Sequence, residues 1–248
     1  MNAIYVLWIR QLKRYFRSKT RILGSLGQPL LFLVALGFGF GPIYAKAGGG
    51  NYIQFLAPGI IAMSILFTAT FSGIEVLWDR QFGFLKEILV APVSRLQIMI
   101  GKSLGSATVA LIQGVLVFFM SLIFGFRPTN FLMLPLALVY MSLIAIIFTA
   151  LGTAIASMIE DTQGFQLIMS FLIMPIFFLS GALFPMESMP RAVEAISSIN
   201  PLTYGVDGLR GVLINGAHYT LISNFTILIV IATTMMIIGA YLFSRMQA

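Results

Sequence analysis

Apolar positions in this chain come in long unbroken runs separated by short polar breaks. Six runs stand out, at about 22–41, 53–78, 98–125, 131–158, 165–184 and 219–243. A helix rises 1.5 Å per residue, so about 20 apolar residues cross a hydrocarbon core about 30 Å thick. Unbroken runs exclude a membrane barrel, whose strands alternate at period two. The pattern predicts an all-α integral membrane protein, a single domain over 1–248 with six transmembrane helices.

The breaks carry their own signals. Gly48-Gly49-Gly50-Asn51 and Arg127-Pro128-Thr129-Asn130 are loops, and Glu160-Asp161-Thr162-Gln163 is a short polar turn. Pro29 sits early in the first run and bends it. The Ala45-Lys46-Ala47 triplet imitates a signal-peptidase site, but the run before it exceeds the 7–15 residues of a signal h-region and reads as a span. Ser94 with Gln97 three residues on is a capping box for the third span. Residues 79–97 predict a short amphipathic helix over about 81–90 that Pro92 stops. Residues 185–218 predict two short helices, about 191–198 and 203–213, with Asp207 and Arg210 on one face of the second.

Before the first run the period changes. Over residues 3–21, Tyr5, Trp8, Leu12, Tyr15 and Phe16 share one helical face and Arg10, Lys13, Arg14, Arg17 and Arg21 form a basic stripe on another. This predicts an interfacial helix with its rings at the acyl boundary and its stripe on acidic lipid. The same residues also suit an elbow that touches a cytoplasmic partner.

Composition then removes whole classes of function. Of 248 residues, 59% are apolar and 9% charged, too few to cover a water-facing surface. There is no cysteine and one histidine, so thiolate chemistry and a multi-histidine metal site are excluded. The net charge of +7 is concentrated beside the first span rather than in an aromatic-lined groove, which fits a membrane surface and not nucleic acid. Counting Lys and Arg by side puts eleven on the face of the termini and four on the other, which predicts cytoplasmic termini.

The middle of every span lacks Asp, Glu, Lys, Arg and His. That disfavours an ion-coupled carrier, which needs charged groups at depth. Glu75 and Lys102 lie near span ends and are expected to reach the interface, with Asp79 and Arg80 in water. Gly101-Lys102-Ser103 imitates a phosphate-binding loop, but the glycine required five residues earlier is Leu96. Gly101 and Gly105 instead predict close helix packing. The chain therefore carries no ATPase site of its own and is not by itself an enzyme.

The run from Lys86 to Arg95, Lys-Glu-Ile-Leu-Val-Ala-Pro-Val-Ser-Arg, resembles the cytoplasmic loop of ABC-2 type permeases, the membrane subunits of bacterial ABC exporters. Phe55-Leu56-Ala57-Pro58-Gly59, Ser180-Gly181-Ala182-Leu183-Phe184-Pro185 and Asn200-Pro201-Leu202-Thr203-Tyr204 are similar to that family in the same order. The resemblance implies a subunit of the bacterial cytoplasmic membrane that exports a drug, lipid or glycan type of substrate. It implies a separate ATPase subunit holding ATP and magnesium, and a second permease copy or homologue; no cofactor is expected in this chain. It assigns contact with the ATPase to Arg80, Lys86, Glu87, Pro92 and Arg95, and an external gate to Pro185, Asn200, Pro201, Tyr204, Asp207 and Arg210. The path is assigned to spans two and five, with Phe165, Met169, Met174 and Phe177 lining it. Competing readings are a non-transporting scaffold subunit and a secondary carrier.

Overall fold

Polar residues in the breaks start the helices. Asn51, Ser94, Asp161, Asn200 and Thr220 each accept a hydrogen bond from a backbone N–H two or three residues on, satisfying donors that a helix start leaves open. The computed structural model describes residues 3–48, 50–83, 93–186 and 189–246.

Among these the elements are α1 (Ala3–Arg17), α2 (Lys19–Lys46), α3 (Tyr52–Phe71), α4 (Ile74–Gln81), α5 (Arg95–Ile123), a 3₁₀ turn (Phe131–Met133) leading into α6 (Leu134–Met158), α7 (Thr162–Phe178), α8 (Arg191–Ser197), α9 (Pro201–Ile214) and α10 (Leu221–Arg245). No strand occurs among the described residues.

Among the described residues, five helical stretches are long and apolar enough to cross a membrane: Lys19–Lys46, Tyr52–Gln81, Arg95–Ile123, Phe131–Met158 and Leu221–Arg245. The fifth run differs from expectation. Its helix, α7, has 17 residues, about 25 Å of rise, and stops at Phe178 rather than near residue 184. Gly181 then takes φ +74, and the carbonyls of Gly181 and Ala182 accept from Arg210. The left-handed φ of Gly181 lies outside the helical range and prevents the helix from continuing, and Arg210 holds the loop that follows.

The second run also differs. It is helical to Gln81, with a tightened joint at Ser72-Gly73 marked by i→i+3 bonds such as Val76 N to Gly73 O at 2.9 Å. Asp79 and Arg80 are therefore helical residues and not part of a loop. At the joint, Gly73 lies against the backbone of Gly152 on α6, where a Cβ would have no room.

Helices α3, α5 and α6 pack on one another, with α2 on α3, α10 on α6, and α9 against α3, α6 and α10. Within its most apolar window α3 is 78% buried, whereas α2 and α10 are each 17% buried. The centre is α3, and the peripheral helices present apolar faces such as Leu31 and Phe38 on α2 and Val230 and Ile237 on α10. Membrane helices that face lipid retain such exposure.

Candidate functional site

Helix α4 carries two carboxylates, Glu75 and Asp79, spaced i,i+4 and so on one face. Both are about 5% exposed. The Glu75 carboxylate receives Arg21 of α2 at 2.8 Å and Arg14 of α1 at 3.8 Å. The Asp79 carboxylate receives Lys102 of α5 at 2.5 Å and Arg10 of α1 at 3.2 Å. Two acids thus meet four bases from three helices, and two positive charges remain in excess.

This corrects the expectation that Asp79 sits in water and that Glu75 and Lys102 reach for the interface. Lys102 is 3% exposed. The cause is α1, which packs along α5 and covers the charges. Gly101 and Gly105 permit that approach: a Cβ on Gly105 would fall 2.7 Å from Gln11, and one on Gly101 would fall 3.0 Å from Leu7. The close packing expected of these glycines is therefore packing by α1.

The α1 helix is accordingly not a simple surface element. Trp8 donates to Thr108 at 3.0 Å and Tyr15 donates to Gln113 at 2.8 Å, so two rings expected at the acyl boundary are fastened to α5. Burial pushes the Tyr15 phenol up, with Arg21 opposing. Tyr5 and Phe16 remain exposed. The basic stripe divides: Arg10, Arg14 and Arg21 turn to the carboxylates, while Lys13 and Arg17 stay exposed.

Two of the residues assigned to ATPase contact can be placed. Arg80 pairs with Glu160 at 2.8 Å, joining α4 to the turn before α7. Arg95 donates to Ser244 O at 2.6 Å and Met246 O at 3.0 Å, tying the start of α5 to the end of α10. Lys86, Glu87 and Pro92, with most of the helix expected over 81–90, lie outside the described residues.

The opposite end of the bundle brings the proposed gate residues together. Asn200 caps α9 and donates to Ile176 O at 2.6 Å, and Pro201 opens that helix. The Tyr204 hydroxyl donates to Ser198 O at 2.6 Å, and its ring lies 5.6 Å from that of Tyr219. Burial raises the Tyr219 phenol, with neighbouring Tyr204, Glu194 and Asp207 acting in the same direction. Asp207 and Arg210 share a face and engage separate backbone groups. Asp207 accepts from His218 N at 2.6 Å, Tyr219 N at 2.8 Å and Asn224 Nδ2 at 2.8 Å. Arg210 donates to Gly181 O at 2.8 Å, Ala182 O at 3.0 Å and Phe55 O at 3.3 Å, and lies 3.7 Å above the Phe55 ring. Pro185 is half-buried beside this clamp.

On α7 the four residues assigned to a path separate. Phe165, Met169 and Phe177 are buried inside this chain, and Met174 is 42% exposed. Phe171 and Leu167, at 83% and 73% exposed, form the open face of the helix. Sequence reasoning overlooked the acidic pair on α4. Two carboxylates i,i+4 at a span end, in a chain whose first helix is basic, were the available signal.

The chain matches the family model described as "ABC-2 type transporter" over residues 2–214. It is 30% identical over 191 residues to nodulation protein J of Rhizobium leguminosarum bv. viciae, covering 76% of this chain and 73% of that protein. It is 32% identical over 217 residues to a protein of Cyanophora paradoxa named as the transport permease ycf38, covering 85% and 73%. A family match across most of the chain, agreeing in order with the apolar helices, supports one conclusion: this chain belongs to the ABC-2 type transporter family and is a multi-pass membrane transport permease.

Proposed function

We propose that this chain is the membrane subunit of an ATP-driven exporter for hydrophobic or amphipathic molecules of drug, lipid or glycan type. Two copies, or one copy and a homologue, work with two separate ATPase subunits in a bacterial cytoplasmic membrane. ATP and magnesium belong to the ATPase, and this chain supplies the path. There are six passes with α7 as the short fifth, both termini are cytoplasmic, and 185–218 is external. The eleven-to-four distribution of Lys and Arg supports this orientation.

The observation that carries the reading is the charge cluster on α4. In sequence, that helix precedes the run from Lys86 to Arg95, which resembles the family's cytoplasmic loop and is the proposed ATPase contact. Through Glu75 and Asp79, α4 is ionically bound to α1, α2 and α5. A displacement of the segment therefore moves several helices at once, because packed elements shift between discrete arrangements rather than deform continuously. The names of the relatives, a nodulation protein and a transport permease, are compatible with export.

The test is isolation from its native membrane in mild detergent, followed by reconstitution. An ATPase subunit is expected to co-purify and to drive ATP-dependent export from the reconstituted complex. Its reproducible absence favours a scaffold subunit. For orientation, reporter fusions at residues 48, 128 and 200 are expected to read external and those at 90, 162 and 248 internal; an internal reading at 200 defeats the six-pass arrangement.

A further inference from the structure

Helices α2 and α3 meet closely at one end and part at the other. Where they meet, Leu33 is fully buried and the Tyr44 and Tyr52 rings lie 5.0 Å apart. Toward α1 they enclose a cleft of about 220 Å³, lined by Arg21, Ser25 and Gln28 on α2 and by Phe67, Thr68 and Phe71 on α3. Tyr15 and Pro29 also border it.

The cleft is graded in polarity. Arg21 stands near the start of α2, and Ser25 and Gln28 follow about 6 and 10 Å further along the axis. The facing wall carries Phe67 and Phe71, whose rings stack at 6.3 Å. Two polar side chains that line it lack a partner. Gln28 and Thr68 make no side-chain hydrogen bond among the described residues. Tyr15 and Ser25 are already engaged, Tyr15 donating to Gln113 Oε1 at 2.8 Å and the Ser25 hydroxyl lying 2.9 Å from Ile22 O and 3.1 Å from Gln113 Oε1. Unpaired polar groups at the depth of hydrocarbon are costly, so such a cleft calls for a polar occupant. The charge at its mouth selects the sign: Arg14 and Arg21 face Glu75 alone, leaving one positive charge over, with Arg17 and Lys19 exposed nearby.

We propose that this cleft is a binding site for an acidic lipid, whose anionic headgroup lies at Arg21, whose linkage oxygens or hydroxyls meet Gln28 and Thr68, and whose first chain carbons pack on Phe67 and Phe71. Only the choice of leaflet, the cytoplasmic one, rests on the orientation given above. Binding itself requires neither ATP nor the transport reading, so each can fail without the other.

The test is native mass spectrometry of the full chain, with any subunit that co-purifies, in uncharged detergent titrated with phosphatidylglycerol or phosphatidylcholine. One phosphatidylglycerol per chain is expected to bind at least about tenfold more tightly than phosphatidylcholine. Arg21→Gln and Gln28→Leu are each expected to weaken it about three- to tenfold, and Thr68→Trp, which fills the cleft, to abolish it. Lys46→Gln at the far end of α2 is expected to leave it unchanged. Soluble glycerol phosphate is expected not to compete, since it lacks the chain. Equal retention of both lipids, or unaltered phosphatidylglycerol binding in Arg21→Gln and Gln28→Leu, means lipid of the general annulus only and overturns the proposal. Displacement by glycerol phosphate at equal concentration overturns it too, since the site then reads the anion alone.

Discussion

At the α4 end of the bundle, charges are matched by charged side chains; at the α9 end, they are matched mainly by backbone. Glu75 and Asp79 face Arg10, Arg14, Arg21 and Lys102, all long side chains on other helices. Asp207 instead takes two backbone N–H groups and one side-chain amide, that of Asn224, and Arg210 takes three backbone carbonyls. A side-chain pair can follow a shifting helix or exchange partners while keeping its charge matched. A backbone partner is fixed by the local fold and moves only if its loop moves. The α4 end can therefore shift with its charges still matched, whereas the α9 end rearranges only when its loops do.

The sharpest break in this comparison is Asp79→Ala. It leaves Lys102 buried without its carboxylate, and removing one partner of a buried pair costs about 3–5 kcal/mol. A large drop in the melting temperature of the detergent-solubilised chain is expected. Lys102→Met is expected to cost less, because Arg10 still reaches Asp79. The double variant Asp79→Leu with Lys102→Met is expected to regain most of the lost stability while transport stays impaired. Normal transport in the double variant would show that the pair only holds the fold.

At the other end, Arg210→Lys keeps the charge and loses the planar fork that spans three carbonyls and stacks on Phe55. A loss of about 2–3 kcal/mol is expected, on the scale of hydrogen bonds to a charged group. Limited proteolysis is the sharper measurement: cleavage should rise within 179–186, the loop that Arg210 holds, and not at the α4 end. Cleavage rising equally at both ends would erase the distinction between them.

The smallest effect is expected from Arg80→Ala. Its partner Glu160 has an 82% exposed side chain, and exposed pairs contribute about 0–1 kcal/mol. Thermal stability should hardly change. A marked loss would place Arg80 within the buried cluster rather than at its rim.

Much of the fold was legible along the chain. The long apolar runs became long helices, Ser94 capped α5 as its capping box implied, and the proline-rich 185–218 stretch formed two short helices close to the expected places. The fifth run was read too long because apolar composition alone cannot see the left-handed turn at Gly181 or the Arg210 side chain that holds the loop there. The charges near span ends were misread for a related reason. Snorkelling is an argument about one helix in lipid, and it fails once another helix covers the residue.

Sequence by itself determined the helices, their starts and the membrane setting. In hydrocarbon each backbone polar group must be satisfied within its own segment, so an apolar run of sufficient length has one local solution. Tertiary structure alone decided what the charges do. Lys102 finds Asp79, Arg21 finds Glu75 and Arg210 finds the loop after α7, and each partner comes from another part of the chain. Those choices depend on which helices approach closely enough to bury a charge. For α1 on α5, that was settled by two glycines whose missing side chains leave room for Leu7 and Gln11.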